Sequence, residues 1–170
     1  MTAAALSEVT LLDVIERVLH RREDGWLFLR ELRVGTGRQM SQAQRLDAFA
    51  LNSWPHNGMK RVCYEVKISR ADFLCELKHP LKRRMGMRYS NEFYFVTPPR
   101  LLRLDEIPPE CGWLEVDPDK PDFCGMTVPA PWRDTPGPTW QLVAAMLRHQ
   151  RRELEERPPD PPRQERIAWE

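Results

Sequence analysis

Two acidic residues and a lysine lie in stretches of the sequence that otherwise read as buried β-strands. Glu65 and Lys67 stand two positions apart in KRVCYEVKIS (60–69), and Asp47 interrupts the apolar run RLDAFAL (45–51). Because side chains alternate along a strand, Glu65 and Lys67 point to the same face, roughly 6.6 to 6.8 Å apart. A carboxylate and an ammonium at that spacing can hold a metal ion and a water molecule between them.

The residue types indicate chemistry on a phosphate. Two carboxylates that converge at the end of a sheet repel each other unless a cation lies between them. Mg²⁺ suits such a place, since it takes one or two carboxylates and keeps several waters. A nearby lysine can position or deprotonate a metal-bound water, or stabilise the charge that develops at phosphorus.

Periodicity and turn signals predict the elements that must position these residues. Helices are predicted over residues 7–22 with Ser7 as N-cap, from Ser69 to Lys78, and over 139–156. Strands are predicted over 26–34, 45–51, 60–69, 91–97 and 112–116. The first three strands follow one another through short turns, so they form an antiparallel meander that brings Asp47 close to Glu65. The pattern predicts an α/β (α+β) fold with a central mixed four- to five-stranded sheet flanked by helices.

Several stretches are expected to serve the fold rather than chemistry. Val62, Tyr64, Val66 and Ile68 share the strand face that suits packing against a helix. The last helix is expected to pack through Trp140, Val143, Ala144 and Leu147. Residues 98–138 are rich in proline, so they are expected to be mostly irregular, and the acidic part over 105–138 is open to a role in access or partner binding. Residues 1–156 read as one domain, and 157–170 as a proline-rich, disordered tail.

Composition limits the class of protein. The chain has 170 residues, 41% hydrophobic and 30% charged, with a net charge of +1, which is ordinary for a soluble globular protein. From Lys78 to Arg88 there are basic residues and no acid, which fits a polyanionic partner. The four cysteines form no C-x-x-C pair, so they read as reduced, mostly buried thiols in a cytoplasmic protein. The sequence shows no signal peptide and no run of membrane-spanning length, so no membrane partner is expected.

The ordered set around Asp47, Glu65 and Lys67 resembles the PD-(D/E)XK nuclease superfamily, in which an aspartate precedes a Glu-x-Lys triplet that a helix follows. More narrowly, the stretches RLDAFAL, YEVKISRADFLCELKHP, NEFYFVTPP and IPPECGWLEV resemble the MmcB-like DNA repair proteins and their phage-encoded relatives. The resemblance covers about residues 26–117. The superfamily's proline before the aspartate is Leu46 in this sequence.

The resemblance implies a restriction-endonuclease-like core and a metal-dependent DNA endonuclease that hydrolyses phosphodiester bonds. Asp47 and Glu65 would bind Mg²⁺, for which Mn²⁺ can substitute, with the backbone carbonyl of Val66 as a further ligand. Lys67 would act on the attacking water. Cleavage would leave a 5′-phosphate and a 3′-hydroxyl.

The superfamily often adds a third acid from the first helix or strand, and Glu16 and Glu31 are the candidates. We favour Glu31, because Leu29, Glu31 and Arg33 are expected to share a strand face that is opposite, at least in part, to Phe28, Leu32 and Val34. A second group of residues is predicted to contact nucleic-acid phosphates. It consists of Arg70 at the start of the helix after the triplet and of the basic run Lys78, Lys82, Arg83 and Arg84.

Plainer interpretations stand beside each of these. Glu65 and Lys67 could form an ordinary surface charge pair worth about a few tenths of a kcal/mol, Asp47 could be a surface acid, and the basic run could be a solvated helix face. The whole chain could be a non-catalytic nucleic-acid-binding module that retains the nuclease fold, or a structural protein. DNA is the predicted partner. The sequence leaves open whether it is single-stranded, duplex or branched, and whether a homodimer or a repair-protein partner is involved.

Overall fold

The computed structural model describes residues 6–34 and 44–156, and of Lys82 it describes the backbone only. Within those ranges the chain forms four α-helices, which are α1 (Glu8–Leu19), α2 (Arg70–Leu77), α3 (Arg84–Tyr89) and α4 (Trp140–Glu156). It also forms six β-strands, which are β1 (Trp26–Val34), β2 (Gln44–Asn52), β3 (Arg61–Val66), β4 (Glu92–Thr97), β5 (Gly112–Val116) and β6 (Cys124–Val128). The predicted tail over 157–170 lies outside the described residues.

The strands form one mixed sheet in chain order, from β1 to β6. β1, β2 and β3 are antiparallel, as the short turns predict. β3, β4 and β5 run parallel, with α2 and α3 in the crossover between β3 and β4, and β5 pairs antiparallel with β6. The predicted α/β (α+β) architecture, a mixed sheet flanked by helices, is confirmed.

The predicted count of four to five strands is wrong, because the described residues contain six. The strand that the sequence did not reveal is β6, whose residues CGMTV lie inside the proline-rich region predicted to be irregular. It has no clear alternation of apolar and polar side chains, and its backbone pairs with β5 at the edge of the sheet. Pairing with a neighbour thus makes this segment a strand where local preference is weak.

Each face of the sheet is covered by helices and has its own apolar cluster. On one face α1 packs against strand residues that include Val62, Tyr64 and Val66 of the predicted set. The fourth member, Ile68, is 38% exposed, because β3 ends at Val66. On the other face α2, α3 and α4 contribute Phe73, Tyr89, Leu142 and Ala145, which pack against Phe49, Cys63, Phe93 and Phe95. Along β3, therefore, Cys63 and the residues that share its side point toward α2 and α3.

Both predicted N-caps lie at helix starts. The side-chain oxygen of Ser7 accepts a hydrogen bond from the backbone N–H of Thr10, 3.1 Å, and Thr10 Oγ1 accepts one from the N–H of Ser7, 2.9 Å. Ser69 Oγ accepts from the N–H of Asp72, 3.2 Å. Because Ser69 caps α2, the helix begins directly after the end of β3, and its first two turns face the end of that strand.

The last helix packs through a different face from the predicted one. Trp140 is 86% exposed and Leu147 is 60% exposed, so the predicted stripe faces outward at both ends. The buried residues of α4 are Leu142, Ala145 and His149. The helix carries apolar side chains around much of its circumference, so periodicity alone does not select the buried side.

β1 changes the side on which its apolar residues lie at Glu31, which has a φ of 51°. Leu29 belongs to the cluster on the α4 side, and so do Leu32 and Val34, although a regular strand would place them on the opposite face from Leu29. Leu29 does lie opposite Phe28, which packs with the cluster on the α1 side, whereas the predicted opposition to Leu32 and Val34 is wrong. The left-handed backbone at Glu31, which side chains disfavour, accounts for the switch.

The four cysteines are free, with Cys63 and Cys111 buried and Cys75 exposed. None of the helices in the described part of the chain is both long enough and apolar enough to cross a membrane.

Candidate functional site

Asp47, Glu65 and Lys67 lie together at the end of β3. β2 and β3 pair in a register that, continued by one residue, places Asp47 opposite Glu65. The backbone N–H of Val66 donates to Oδ2 of Asp47, 2.9 Å, and Nζ of Lys67 donates to Oε1 of Glu65, 2.8 Å. All three side chains line one cavity of about 290 Å³ between the end of β3 and α2.

Lys67 is nearly buried, with 8% of its side chain exposed, and lies among three carboxylates. Its Nζ is 2.8 Å from Glu65 Oε1, 3.4 Å from Asp72 Oδ2 and 3.8 Å from Glu76 Oε2. Burial lowers the pKa of Lys67, but the three carboxylates outweigh this effect, so its pKa is raised. The ammonium therefore keeps its proton at neutral pH, and it can orient a water or stabilise negative charge.

The pKa values of Glu65 and Asp47 are both raised. Burial is the largest cause for Glu65 and raises its pKa to about 7, with the charge of Asp47 adding to the effect and that of Lys67 opposing it. Burial also raises the pKa of Asp47, against the hydrogen bond from Val66 and the charges of Lys67 and Arg45. Two buried carboxylates this close together are stabilised when one of them takes up a proton or when both bind a cation.

The donor set suits Mg²⁺ in its chemistry. Carboxylate oxygens are the hard ligands that Mg²⁺ prefers, and one or two of them suffice because water completes the shell. Among residues 6–34 and 44–156, no three His, Cys, Asp or Glu side chains are grouped so that they could hold a metal ion. A cation here would therefore depend on Asp47, Glu65 and the carbonyl of Val66 together with water.

Of the two candidates for a third acid, Glu31 is joined to the site and Glu16 is not. Glu31 and Asp47 lie between the paired positions Arg30 with Ala48 and Leu32 with Leu46 of β1 and β2. Oε1 of Glu31 is 3.5 Å from Nη1 of Arg45, whose Nη2 is 3.7 Å from Oδ1 of Asp47. Glu31 is 64% exposed and stands outside the cavity wall. Glu16 pairs with Arg30, 2.5 Å, on the α1 side of the sheet.

Arg70, predicted to contact phosphate, is held by an acid of the protein itself. Its Nη1 donates to Oε2 of Glu106, 2.9 Å, and its Nη2 donates to Oε1 of the same residue. This two-point contact joins the start of α2 to the turn before β5. A phosphate at Arg70 would have to compete with a carboxylate that is already well placed.

The basic run that follows α2 divides into inward and outward residues. Arg83 is buried, with 5% exposed, and lines the cavity. Lys78 and Arg84 are exposed, and the side chain of Lys82 lies outside the described part of the chain. Lys78 and Arg84 are thus available to contact DNA at the surface, whereas Arg83 faces the interior.

Sequence reasoning missed Asp72 and Glu76 as members of the site. Both lie on α2, four residues apart, and both approach Lys67. Glu76 is only 4% exposed. Residues four apart share a helix face, so an acid pair at that spacing on the helix directly after the triplet was the available signal.

A larger cavity of about 610 Å³ lies beside β1 and α4 and is mostly apolar. Leu29, Phe49, Leu142 and Met146 line it, and Glu16 is the one residue predicted for chemistry that reaches it. Buried charged groups with shifted pKa values occur preferentially at functional sites, and here they line the smaller cavity. The smaller polar cavity is therefore the candidate site.

Comparison with known proteins adds information about the fold. The chain matches no protein-family model and no curated protein. Its structure is similar to a solved structure of SPO1766, a protein of unknown function from Silicibacter pomeroyi, with a TM-score of 0.61 and 17% sequence identity. The similarity covers 89% of this chain and 88% of that one. The two chains share a fold, and the comparison says nothing about activity.

Proposed function

We propose that this protein is a Mg²⁺-dependent DNA endonuclease of the DNA repair or phage type, with the restriction-endonuclease-like core of the PD-(D/E)XK superfamily and a resemblance to its MmcB-like members. The observation that carries the proposal is the meeting of Asp47, Glu65 and Lys67 in one polar cavity. Burying charged groups costs stability, and such clusters with shifted pKa values occur preferentially at functional sites. The free thiols fit a cytoplasmic location.

The residues of the cavity suit hydrolysis of a phosphodiester. Asp47 and Glu65, with the carbonyl of Val66, would hold Mg²⁺, which when bound supplies a Lewis acid for the phosphate and for water. Lys67 is a charged donor at the same place, so it orients the attacking water and stabilises the negative charge that develops at phosphorus. The water oxygen forms the new bond to phosphorus, and the bond to O3′ breaks. The attacking water gives up a proton and the leaving 3′-oxygen takes one up, so the products are a 5′-phosphate and a 3′-hydroxyl.

A non-catalytic nucleic-acid-binding module with the same fold is the second candidate. The observation in its favour is that the charged groups of the cavity already satisfy one another. Lys67 has three carboxylate neighbours, and Asp47 accepts the N–H of Val66. Such a module would bind DNA and leave it intact.

A cleavage assay tests the proposal. Labelled single-stranded, duplex and forked DNA would be incubated with the protein in Mg²⁺, in Mn²⁺ and in EDTA. We expect cleavage that requires a divalent metal and falls by about 10²- to 10⁴-fold in Lys67→Ala, because that variant loses the charged donor at phosphorus. The matched control is Lys60→Ala, which removes a lysine paired with Glu92 away from the cavity and should cleave as the wild type does.

DNA binding, measured by fluorescence anisotropy, separates the two candidates. Binding without cleavage of any substrate would favour the module. Cleavage by Lys67→Ala at the wild-type rate would overturn the proposed role of Lys67. A loss of cleavage in both lysine variants would point to general damage to the fold, which circular dichroism of each variant would reveal.

A further inference from the structure

Arg83 is a buried cation on the wall of the cavity that contains Asp47, Glu65 and Lys67. It lies between the Pro80–Lys82 turn and the first residue of α3, and 5% of its surface is exposed. A guanidinium has five N–H donors and does not lose its proton in proteins. Its burial therefore requires acceptors from the protein or from a ligand.

The protein satisfies Arg83 poorly. Its Nη1 donates to the backbone carbonyl of Glu76 at 3.4 Å, and its Nη2 donates to Oε1 of Glu110 at 3.3 Å. Both distances exceed the usual 2.7–3.2 Å range of an N–H···O hydrogen bond. Its Nε has no hydrogen-bond partner among the described residues. The remaining contacts are the ring of Phe95, 5.9 Å from the guanidinium carbon, and the thiol of Cys111, a weak acceptor.

The other cations of the cavity differ from Arg83 in this respect. Lys67 has a carboxylate at 2.8 Å and two more within 4 Å, and Arg45 lies between Glu31 and Asp47. Gln44, which also lines the cavity, has a buried carbonyl oxygen without a hydrogen-bond partner in the described part of the chain. Unused donors and acceptors on the wall of one cavity are what a polar ligand would satisfy.

We propose that Arg83 forms a phosphate subsite that takes the terminal phosphate of a DNA strand. The planar guanidinium matches phosphate oxygens through parallel N–H···O bonds. A phosphate inside a strand carries chain on both sides, whereas a terminal phosphate can reach a donor that is 95% buried. The assignment to a DNA end rests on the proposed nuclease function, and the anion subsite itself does not.

The acidic residues of the cavity should weaken phosphate binding unless a cation is also present. Its wall carries the carboxylates of Asp47, Glu65, Asp72 and Glu76 against the cations Arg45, Lys67 and Arg83. A phosphate that enters must face at least some of these acids. We therefore expect phosphate to bind more tightly when Mg²⁺ is added than in EDTA.

Nuclear magnetic resonance of the full chain can observe the subsite directly. Inorganic phosphate would be titrated in EDTA and in Mg²⁺ while the Nε–H resonance of Arg83 is followed. We expect this resonance to move on titration, with saturation at lower phosphate in Mg²⁺. A resonance that stays unchanged at every phosphate concentration in both conditions would overturn the subsite.

Oligonucleotide binding then tests the ligand class. Single strands that carry a 5′-phosphate, a 3′-phosphate or hydroxyls at both ends would be compared by fluorescence anisotropy in EDTA. We expect one phosphorylated end to bind at least tenfold more tightly than the hydroxyl strand, and which end it is identifies the polarity. Arg83→Met should remove this preference, and Arg84→Met, at the exposed neighbour, should keep it.

Two further outcomes distinguish failure of the anion subsite at Arg83 from failure of its assignment to a DNA end, which rests on the proposed nuclease function. If phosphate moves the Nε–H resonance but no strand end is preferred, the DNA-end assignment fails and the anion subsite stands. If a folded Arg83→Met variant keeps the end preference, the proposal fails. Arg83→Lys guards against misfolding, because it keeps the positive charge but lacks the guanidinium fork, and it should lose most of the preference at an unchanged melting temperature.

Discussion

On the α1 side of the sheet His20 and Tyr64 are buried as a neutral pair, whereas on the α2 side Lys67 is buried among carboxylates. The imidazole Nε2 of His20 shares a hydrogen bond with the hydroxyl of Tyr64, and the His20 ring packs against Trp26 and Phe28. Burial, with a smaller contribution from the charge of Lys60, lowers the pKa of His20 to about 3. This pair is therefore buried without charge.

The difference between the two sides distinguishes buried polar groups that stabilise the fold from buried polar groups that suit a binding site. A neutral hydrogen-bonded pair inside an aromatic cluster buries no charge, so it avoids the large cost of removing a charge from water. The cluster around Lys67 holds both signs of charge, and burial together with repulsion from neighbouring acids raises the pKa values of Glu65 and Asp47. Its free energy therefore depends on protons and cations, which suits a site that binds ligands.

Replacing Lys67, the cation at the centre of the cluster, should cause the largest loss of folding stability. Lys67→Met leaves the carboxylates of Glu65, Asp72 and Glu76 without their shared partner, so we expect the free energy of unfolding in EDTA to fall by about 3–5 kcal/mol near neutral pH. Denaturant unfolding measures this change. The control Lys60→Met breaks a pair with Glu92 in which the lysine is 34% exposed, so water can replace part of the contact and the cost should be about 1 kcal/mol. Equal losses in the two variants would contradict the view that burial makes the Lys67 cluster special.

Acidification should change folding stability in opposite directions through Glu65 on the α2 side and His20 on the α1 side. The pKa of Glu65 is about 7 in the folded protein against an ordinary 4.5, so protonation stabilises the fold as pH falls between those values. His20 acts in the opposite direction, because its pKa is lowered from 6.5 to about 3 and protonation below 6.5 favours unfolding. Between pH 4.5 and 6.5 the two effects oppose each other.

Glu65→Gln removes one of these opposing effects. We expect its free energy of unfolding to fall more steeply on acidification than that of the wild type, by up to about 1.4 kcal/mol per pH unit. Denaturant unfolding in EDTA across this pH range provides the measurement. Glu23→Gln, at an exposed position, serves as the control and should follow the wild type. If the Glu65→Gln curve runs parallel to that of the wild type, the raised pKa of Glu65 is refuted.

The parts of this structure that local sequence determines were predictable. Alternation in β3 placed Val62, Tyr64 and Val66 against a helix, and Ser7 and Ser69 marked helix starts. Short turns gave the antiparallel order of the first three strands, and that order placed Asp47 beside Glu65. Each inference used residues within one element or in neighbouring strands joined by a short turn, where backbone geometry constrains which side chains can meet.

The parts that depend on packing between distant segments were not predictable. β6 is a strand because β5 lies beside it. The buried face of α4 is set by its packing against β1. Arg83 and Arg84 are adjacent basic residues, yet Arg83 turns inward because the end of α2 and Glu110 provide acceptors there. Composition describes such a run as one charged surface, and only the fold divides it.

The last prediction concerns the hydrogen bond between His20 and Tyr64 on the α1 side of the sheet. Tyr64→Phe removes the hydroxyl that pairs with His20 and leaves a buried ring nitrogen without its partner, so we expect a loss of about 1–3 kcal/mol in the free energy of unfolding. Tyr89→Phe is the matched change on the other face, where the hydroxyl bonds to partly exposed Thr139 at 3.0 Å and water can replace it. That variant should lose less than about 1 kcal/mol. Equal losses, measured by denaturant unfolding, would mean that the His20–Tyr64 hydrogen bond is worth no more than a solvated one.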